Sequence, residues 1–100
     1  MNEIITPVLA KLVRRVDIEA DELEAAFGEI LAGRASDIEA AGFAVALRTK
    51  GETVTELAAM VRTYFRFGTS ITVADGAIDT CGTGGDRAGT VNVSTMAALV

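Results

Sequence analysis

The same start and stop chemistry recurs twice in the first two-thirds of the sequence, and this repeat constrains the fold more than any other feature. Ser36-Asp37-Ile38-Glu39 and Thr53-Val54-Thr55-Glu56 each set a hydroxyl residue three positions ahead of a glutamate. This is the capping box, in which the two side chains satisfy backbone donors that a helix start leaves orphaned. Each box opens a run that closes at a glycine, Gly51 in one case and Gly68 in the other. Two more helices precede them. Thr6-Pro7 suits N-cap and N1 of the first, with Ile4 and Ile5 as an alternative start slightly earlier, and Ile5, Leu9, Leu12 and Val16 share a face. In the second, Leu23, Ala26, Phe27, Ile30 and Leu31 fall at helical spacing, and Gly33 stands where a left-handed C′ residue is wanted.

The third helix differs from its neighbours. Ile38, Ala40, Ala41, Phe43, Ala44, Val45, Ala46 and Leu47 leave it almost no polar face, which predicts burial on all sides. Two arrangements supply that burial: a central place in a compact bundle, or an interface with a partner subunit or second domain. The fourth helix runs through Leu57, Val61, Tyr64 and Phe65.

After Gly68 the pattern changes. Ile71-Thr72-Val73 is short and β-branched, Ala74-Asp75-Gly76 reads as a turn, and Ala77-Ile78-Asp79-Thr80-Cys81 reads as a buried strand. Gly82-Thr83-Gly84-Gly85-Asp86 follows, and Asn92-Val93-Ser94-Thr95 then heads an apolar helix. Strand, glycine loop and capped helix in that order begin an α/β unit. The expected architecture is therefore mainly α: a helical bundle domain over residues 1–69, then the first strand-loop-helix of a truncated α/β domain over 70–100. The sequence stops at Ala97-Ala98-Leu99-Val100, inside an apolar stretch without cap or polar tail, and so reads as a fragment. A lone strand and a severed helix would have no sheet to join.

Composition narrows the chemistry. Of 100 residues, half are hydrophobic and one is proline, which excludes a disordered tail. Nine basic residues against 14 acidic ones give a net charge of −5, so a broad basic surface for nucleic acid is not expected. With no histidine and one cysteine, the sequence holds no His-based triad, no Cys/His zinc site and no internal disulfide. The single thiol fits a reducing, cytoplasmic setting, and neither a signal peptide nor a membrane span is expected.

The glycine loop concentrates what remains. Three glycines in four residues permit positive φ and remove side chains, so successive amides can converge on an anion. Asn92, Ser94 and Thr95 add donors where the helix directs its positive end. The plainer alternative is a glycine-rich turn whose Asn, Ser and Thr only cap the helix. Neither common phosphate motif fits: Arg87 occupies the third-glycine position of a dinucleotide fingerprint, and Thr90 follows Gly89 where a Walker A loop needs lysine. Asp86 would be repelled by a phosphate unless it met a sugar hydroxyl, a cation or a basic group. With Arg87 as the loop's one positive residue, a diphosphate would need Mg²⁺ or further basic groups, and the Ser94 hydroxyl could ligate such a metal. Asp79 is expected to hydrogen-bond loop amides, and Cys81 to be buried in the strand.

The run from Asp79 to Asp86, with Asn92-Val93-Ser94-Thr95 at its fixed distance, closely resembles the signature of the anthranilate phosphoribosyltransferase family. Upstream, Ala46-Leu47-Arg48-Thr49-Lys50-Gly51-Glu52-Thr53 is similar to that family's helical domain, and the resemblance covers essentially the whole chain. It implies transfer of phosphoribose from 5-phosphoribosyl 1-diphosphate to the amino group of anthranilate, releasing diphosphate with Mg²⁺ assistance in a homodimer formed through the helical domain. By position, it places Gly82, Gly85 and Asp86 against the phosphoribosyl diphosphate, with Gly82 also near anthranilate. Thr90, Asn92, Val93, Ser94 and Thr95 would line the phosphate pocket, with Ser94 on Mg²⁺ and no residue acting as nucleophile. Other parts of the family's site lie beyond these residues, so the chain alone should be inactive. Two alternatives stand beside this reading: a pyrimidine nucleoside phosphorylase-like enzyme of related fold, and a helical self-association module without catalysis.

Overall fold

The computed structural model describes all 100 residues and contains five helices: α1 (Ile5–Val13), α2 (Ala20–Leu31), α3 (Asp37–Lys50), α4 (Val54–Phe67) and α5 (Val93–Leu99). The chain divides into two compact units, Met1–Ser70 and Ile71–Val100.

Both capping boxes form. Ser36 Oγ accepts from the Glu39 amide and Thr53 Oγ1 from the Glu56 amide, while each glutamate returns a bond to its own cap. Each glutamate also does something the box does not require. Glu39 Oε1 accepts the Asn2 amide at 2.6 Å, just ahead of α1, and Glu56 Oε1 accepts the Ile18 amide at 2.8 Å, just ahead of α2. The start of α3 is thereby pinned to the start of α1, and the start of α4 to the start of α2. Packing follows the same pairing, since α3 lies on α1 and α4 lies on α2.

The core of this unit is one cluster: Ile5, Val8 and Leu12 of α1, Ile18, Leu23, Ala26 and Phe27 of α2 and its approach, Phe43 and Leu47 of α3, and Ala59 of α4. Phe27 stacks on Phe43 with ring centroids 6.1 Å apart and meets Tyr64 edge-on at 4.9 Å. Glu24 of α2 receives Arg62 at 2.8 Å and Arg66 at 3.1 Å from α4, a surface brace across the second pair.

Several expectations are corrected. Of the two starts expected for α1 the earlier one forms, at Ile5 rather than behind a Thr6 N-cap, because Asn2 Oδ1 accepts the amides of Ile4 and Ile5 and thus plays the capping part. Its end is unexpected: Arg15 takes φ 59°, and the Val16 amide reaches back to Lys11 O, so Val16 lies outside the helix. The same motif ends α2 at Gly33, φ 71°, with Arg34 bonded back to Glu29 O, and here glycine announced it. α3 is not buried on all sides. Phe43 and Leu47 face the core, whereas Ile38 is 84% exposed and Val45 67%, so the helix is covered on one stripe only.

α4 is turned relative to its apolar run. Glu56, Ala59 and Thr63 are buried, while Leu57, Val61, Tyr64 and Phe65 stand exposed. Small residues explain this, because fully buried Ala59 and Thr63 on α4 and Ala26 on α2 allow close approach, and the Thr63 hydroxyl is satisfied by Ala59 O at 2.8 Å.

The structure contains no strand. Residues 77–81 run without regular structure, for a strand needs a neighbour to complete its hydrogen bonds and none is present. Cys81 is accordingly exposed rather than buried. The turn at Ala74-Asp75-Gly76 does form, closed by Ala77 N–H on Ala74 O at 3.1 Å, and so does the capped helix α5.

Candidate functional site

Within Ile71–Val100 the local chemistry is carried by short polar side chains bonding nearby amides. Asp79 Oδ1 accepts the Cys81 amide at 2.8 Å, as its position suggested. Thr83 Oγ1 accepts the Gly85 amide at 3.3 Å, Asp86 Oδ1 accepts that of Ala88 at 3.4 Å, and Asn92 Oδ1 caps α5 through the Thr95 amide at 2.9 Å. A turn closes between Gly84 O and the Arg87 amide at 3.0 Å, with Gly84 at φ 72°, Arg87 at 54° and Gly89 at 62°. A side chain at Gly84 or Gly89 would be strained, so these glycines answer to backbone conformation.

Gly82 answers to proximity. A Cβ there would lie 3.1 Å from Ser94 Oγ, so the loop backbone passes directly over the serine at the head of α5. Ser94 is the one residue of the unit that is half-buried rather than exposed.

Two adjoining hollows result. The first, about 640 Å³, is lined by the continuous run from Gly82 to Ser94. The second, about 450 Å³, lies beyond Gly82 and Ser94 and takes in Asp79, Cys81, Asn92 and Thr95. Of the eight residues expected at the site, Gly82, Gly85, Asp86, Thr90, Asn92, Val93 and Ser94 line the first hollow and Thr95 the second, with Gly82, Asn92 and Ser94 shared. Sequence reading did not assign Thr83, whose hydroxyl shapes the loop; the Thr-x-Gly spacing was its signal. It also hid Cys81, since a buried strand would have turned the thiol away from the second hollow.

Electrostatically the site is lean. Arg87 is the only basic residue between 71 and 100, and Asp86 is its sequence neighbour. No three of Asp, Glu or Cys gather where a cation could be caged. The donor set suits a magnesium ion only as a shared one, with the Ser94 hydroxyl as one hard oxygen and phosphate and water oxygens completing the shell.

Comparison with known proteins reaches both units. The helical bundle domain of the glycosyl transferase family matches residues 6–68, and the a/b domain of that family matches residues 74–100. Over 93 residues the chain is 50% identical to a Nocardioides sp. protein named anthranilate phosphoribosyltransferase, covering 93% of this chain and 27% of that one. Proteins of the same name from Streptomyces griseus and Syntrophobacter fumaroxidans are each 47% identical over 93 residues, covering 93% and 92% of this chain and 26% and 28% of theirs. The chain thus spans about a quarter of the length of the curated relatives it matches. No solved structure matches it.

Proposed function

The chain belongs to the glycosyl transferase family, and from that membership we propose that it carries part of the phosphoribosyl diphosphate site of an enzyme acting on anthranilate. The observation that carries this reading is the convergence of the Gly82–Asp86 loop and the Asn92–Ser94 segment on one hollow, with Gly82 backbone set against the Ser94 hydroxyl.

The reaction is displacement at the anomeric carbon. The bond from that carbon to the diphosphate oxygen breaks, a bond to the anthranilate nitrogen forms, and the amine loses a proton. An oxocarbenium-like transition state asks the protein to hold both reactants in line and to stabilise the departing diphosphate, which loop amides and the α5 donors are suited to do. Gly82, Gly85 and Asp86 lie against the sugar and diphosphate in this reading, with Gly82 also near the acceptor. Thr90, Asn92, Val93, Ser94 and Thr95 line the phosphate pocket. Ser94 holds a magnesium ion whose charge, when bound, offsets that of the leaving group. The remaining groups of the site lie outside this chain, so the 100 residues are inactive alone.

The helical unit serves self-association into a homodimer, through the outer face of α3. Ile38 and Val45 project from it, and a monomer gains nothing by exposing them. A cytoplasmic setting accords with the free thiol of Cys81, and no helix is long and apolar enough to cross a membrane.

Calorimetric titration of phosphoribosyl diphosphate with Mg²⁺ into the full-length parent enzyme tests the site. Ser94→Ala and Gly85→Val should each weaken binding at least tenfold, and unchanged affinity in both overturns the assignment. For the helical unit, Ile38→Asp should move sedimentation toward monomer with the fold retained; an unaltered association state contradicts the interface.

A further inference from the structure

The segment from Arg48 through the α3–α4 corner to Glu56 plays no part in the hollow, yet it holds the most deeply buried ion pair of the chain. The Glu56 side chain is fully buried and that of Lys50 is 2% exposed. Glu56 Oε1 accepts the Ile18 amide at 2.8 Å, and its Oε2 accepts both the Thr53 amide at 2.8 Å and Lys50 Nζ at 2.9 Å. Lys50 Nζ also donates to Gly51 O at 2.7 Å and to Asp17 Oδ1 at 3.0 Å. The ammonium thus has three acceptors and the carboxylate three donors. A buried ion pair is stabilising only when its remaining hydrogen-bonding capacity is met in this way.

Its location is what gives the cluster a use. α3 and α4 follow one another in sequence but do not pack along each other, because α3 lies on α1 and α4 on α2. The short turn between them at Gly51, φ 91°, is therefore a corner whose angle is not held by extended packing of one helix along the other. The cluster sits at that corner and grips the α1–α2 connection through Asp17 and Ile18.

We propose that Lys50, Glu56 and Asp17 form a clasp that locks the α3–α4 corner onto the α1–α2 connection, and that releasing it opens this corner while α2 and α4 stay packed. The charged groups facing the carboxylate are Lys50 from the end of α3 and, through Lys50, Asp17 from the α1–α2 connection. Burial by itself would raise the Glu56 carboxyl, but the Thr53 amide, Lys50 and the Ile18 amide together hold it below its ordinary value. Burial would likewise lower Lys50, and the Glu56 and Asp17 carboxylates hold it above.

Nuclear magnetic resonance of the 100-residue chain at neutral pH tests the clasp without any substitution. The Lys50 ammonium protons should exchange with water roughly tenfold or more slowly than those of half-exposed Lys11; equal rates overturn the proposal. In Glu56→Gln, amide exchange at Ile18 and Thr53 should accelerate roughly tenfold or more while Leu23 and Phe27 are unchanged. Uniform acceleration at all four, or none, contradicts a local clasp. Asp17 is 73% exposed, so Asp17→Asn should fold whatever becomes of Glu56→Gln. It should speed Lys50 ammonium exchange severalfold, and an unchanged rate there counts against the clasp equally.

Discussion

Residues 1–70 and residues 71–100 are punctuated with the same chemistry and end in different states. Ser36 and Thr53 cap α3 and α4, and those helices bury a face; Asn92 caps α5 with an equally good bond, and α5 buries nothing. A cap satisfies local donors and so fixes where a helix begins, but it provides no apolar cover. In the helical unit the cover comes from pairing α1 with α3 and α2 with α4. In the second unit it would have to come from a sheet, and the sheet is absent. The contrast separates two roles: one unit is held by its core, and the other displays a loop and a helix start toward solvent.

Core substitutions should divide the units most sharply. Phe27→Ala, which removes the ring stacked on Phe43, should cost about 3–5 kcal/mol in urea unfolding followed by circular dichroism. Val93→Ala should change the same transition by less than about 0.5 kcal/mol, because Val93 is exposed. A comparable loss at Val93 would mean that residues 71–100 do share in a core.

Acid should act next, on the first unit. The Asn2 amide, followed by the Ser36 amide and hydroxyl, holds the Glu39 carboxyl at about 2, below its ordinary 4.5. A carboxyl depressed on folding contributes stability above its unfolded value and loses it as pH falls through the folded one. The urea midpoint should therefore decline from about pH 4.5 to about pH 2, with Glu39→Gln flattening part of that slope. A midpoint independent of pH across this window contradicts the pinning of α3 to the start of α1.

Capping effects are smaller. Ser36→Ala should cost about 1 kcal/mol in the same unfolding experiment, whereas Asn92→Ala should leave that transition in place and remove only the helical signal of α5. Smallest is a gain: Arg15 holds a left-handed conformation that glycine adopts freely, so Arg15→Gly should stabilise the helical unit by about 0.5–1 kcal/mol.

Much of this was legible in the residues. Both capping boxes, the glycine stop at Gly33, the turn at Ala74-Asp75-Gly76 and the Asn92 cap depend on neighbours in sequence, and each formed where the pattern placed it. What escaped depends on distant partners or on a local rule broken. Arg15 ends a helix where glycine is the usual sign. The rotation of α4 follows from small residues meeting α2, which the apolar run Leu57, Val61, Tyr64 and Phe65 does not encode. The strand at residues 77–81 had β-branched and apolar character but no neighbour to pair with. At the site, spacing alone brought the glycine loop and the Asn92–Thr95 segment together on paper, and the close pass of Gly82 over Ser94 is what the three-dimensional structure adds.

Native-state hydrogen exchange of the 100-residue chain, resolved by residue, bears most directly on the contrast between a core-held unit and a displayed one. Protection should be strongest at Leu23, Ala26 and Phe27 and fall to near the unfolded rate throughout residues 71–100, α5 included. Slow exchange at Met96 or Ala97, matching that of α2, would contradict it.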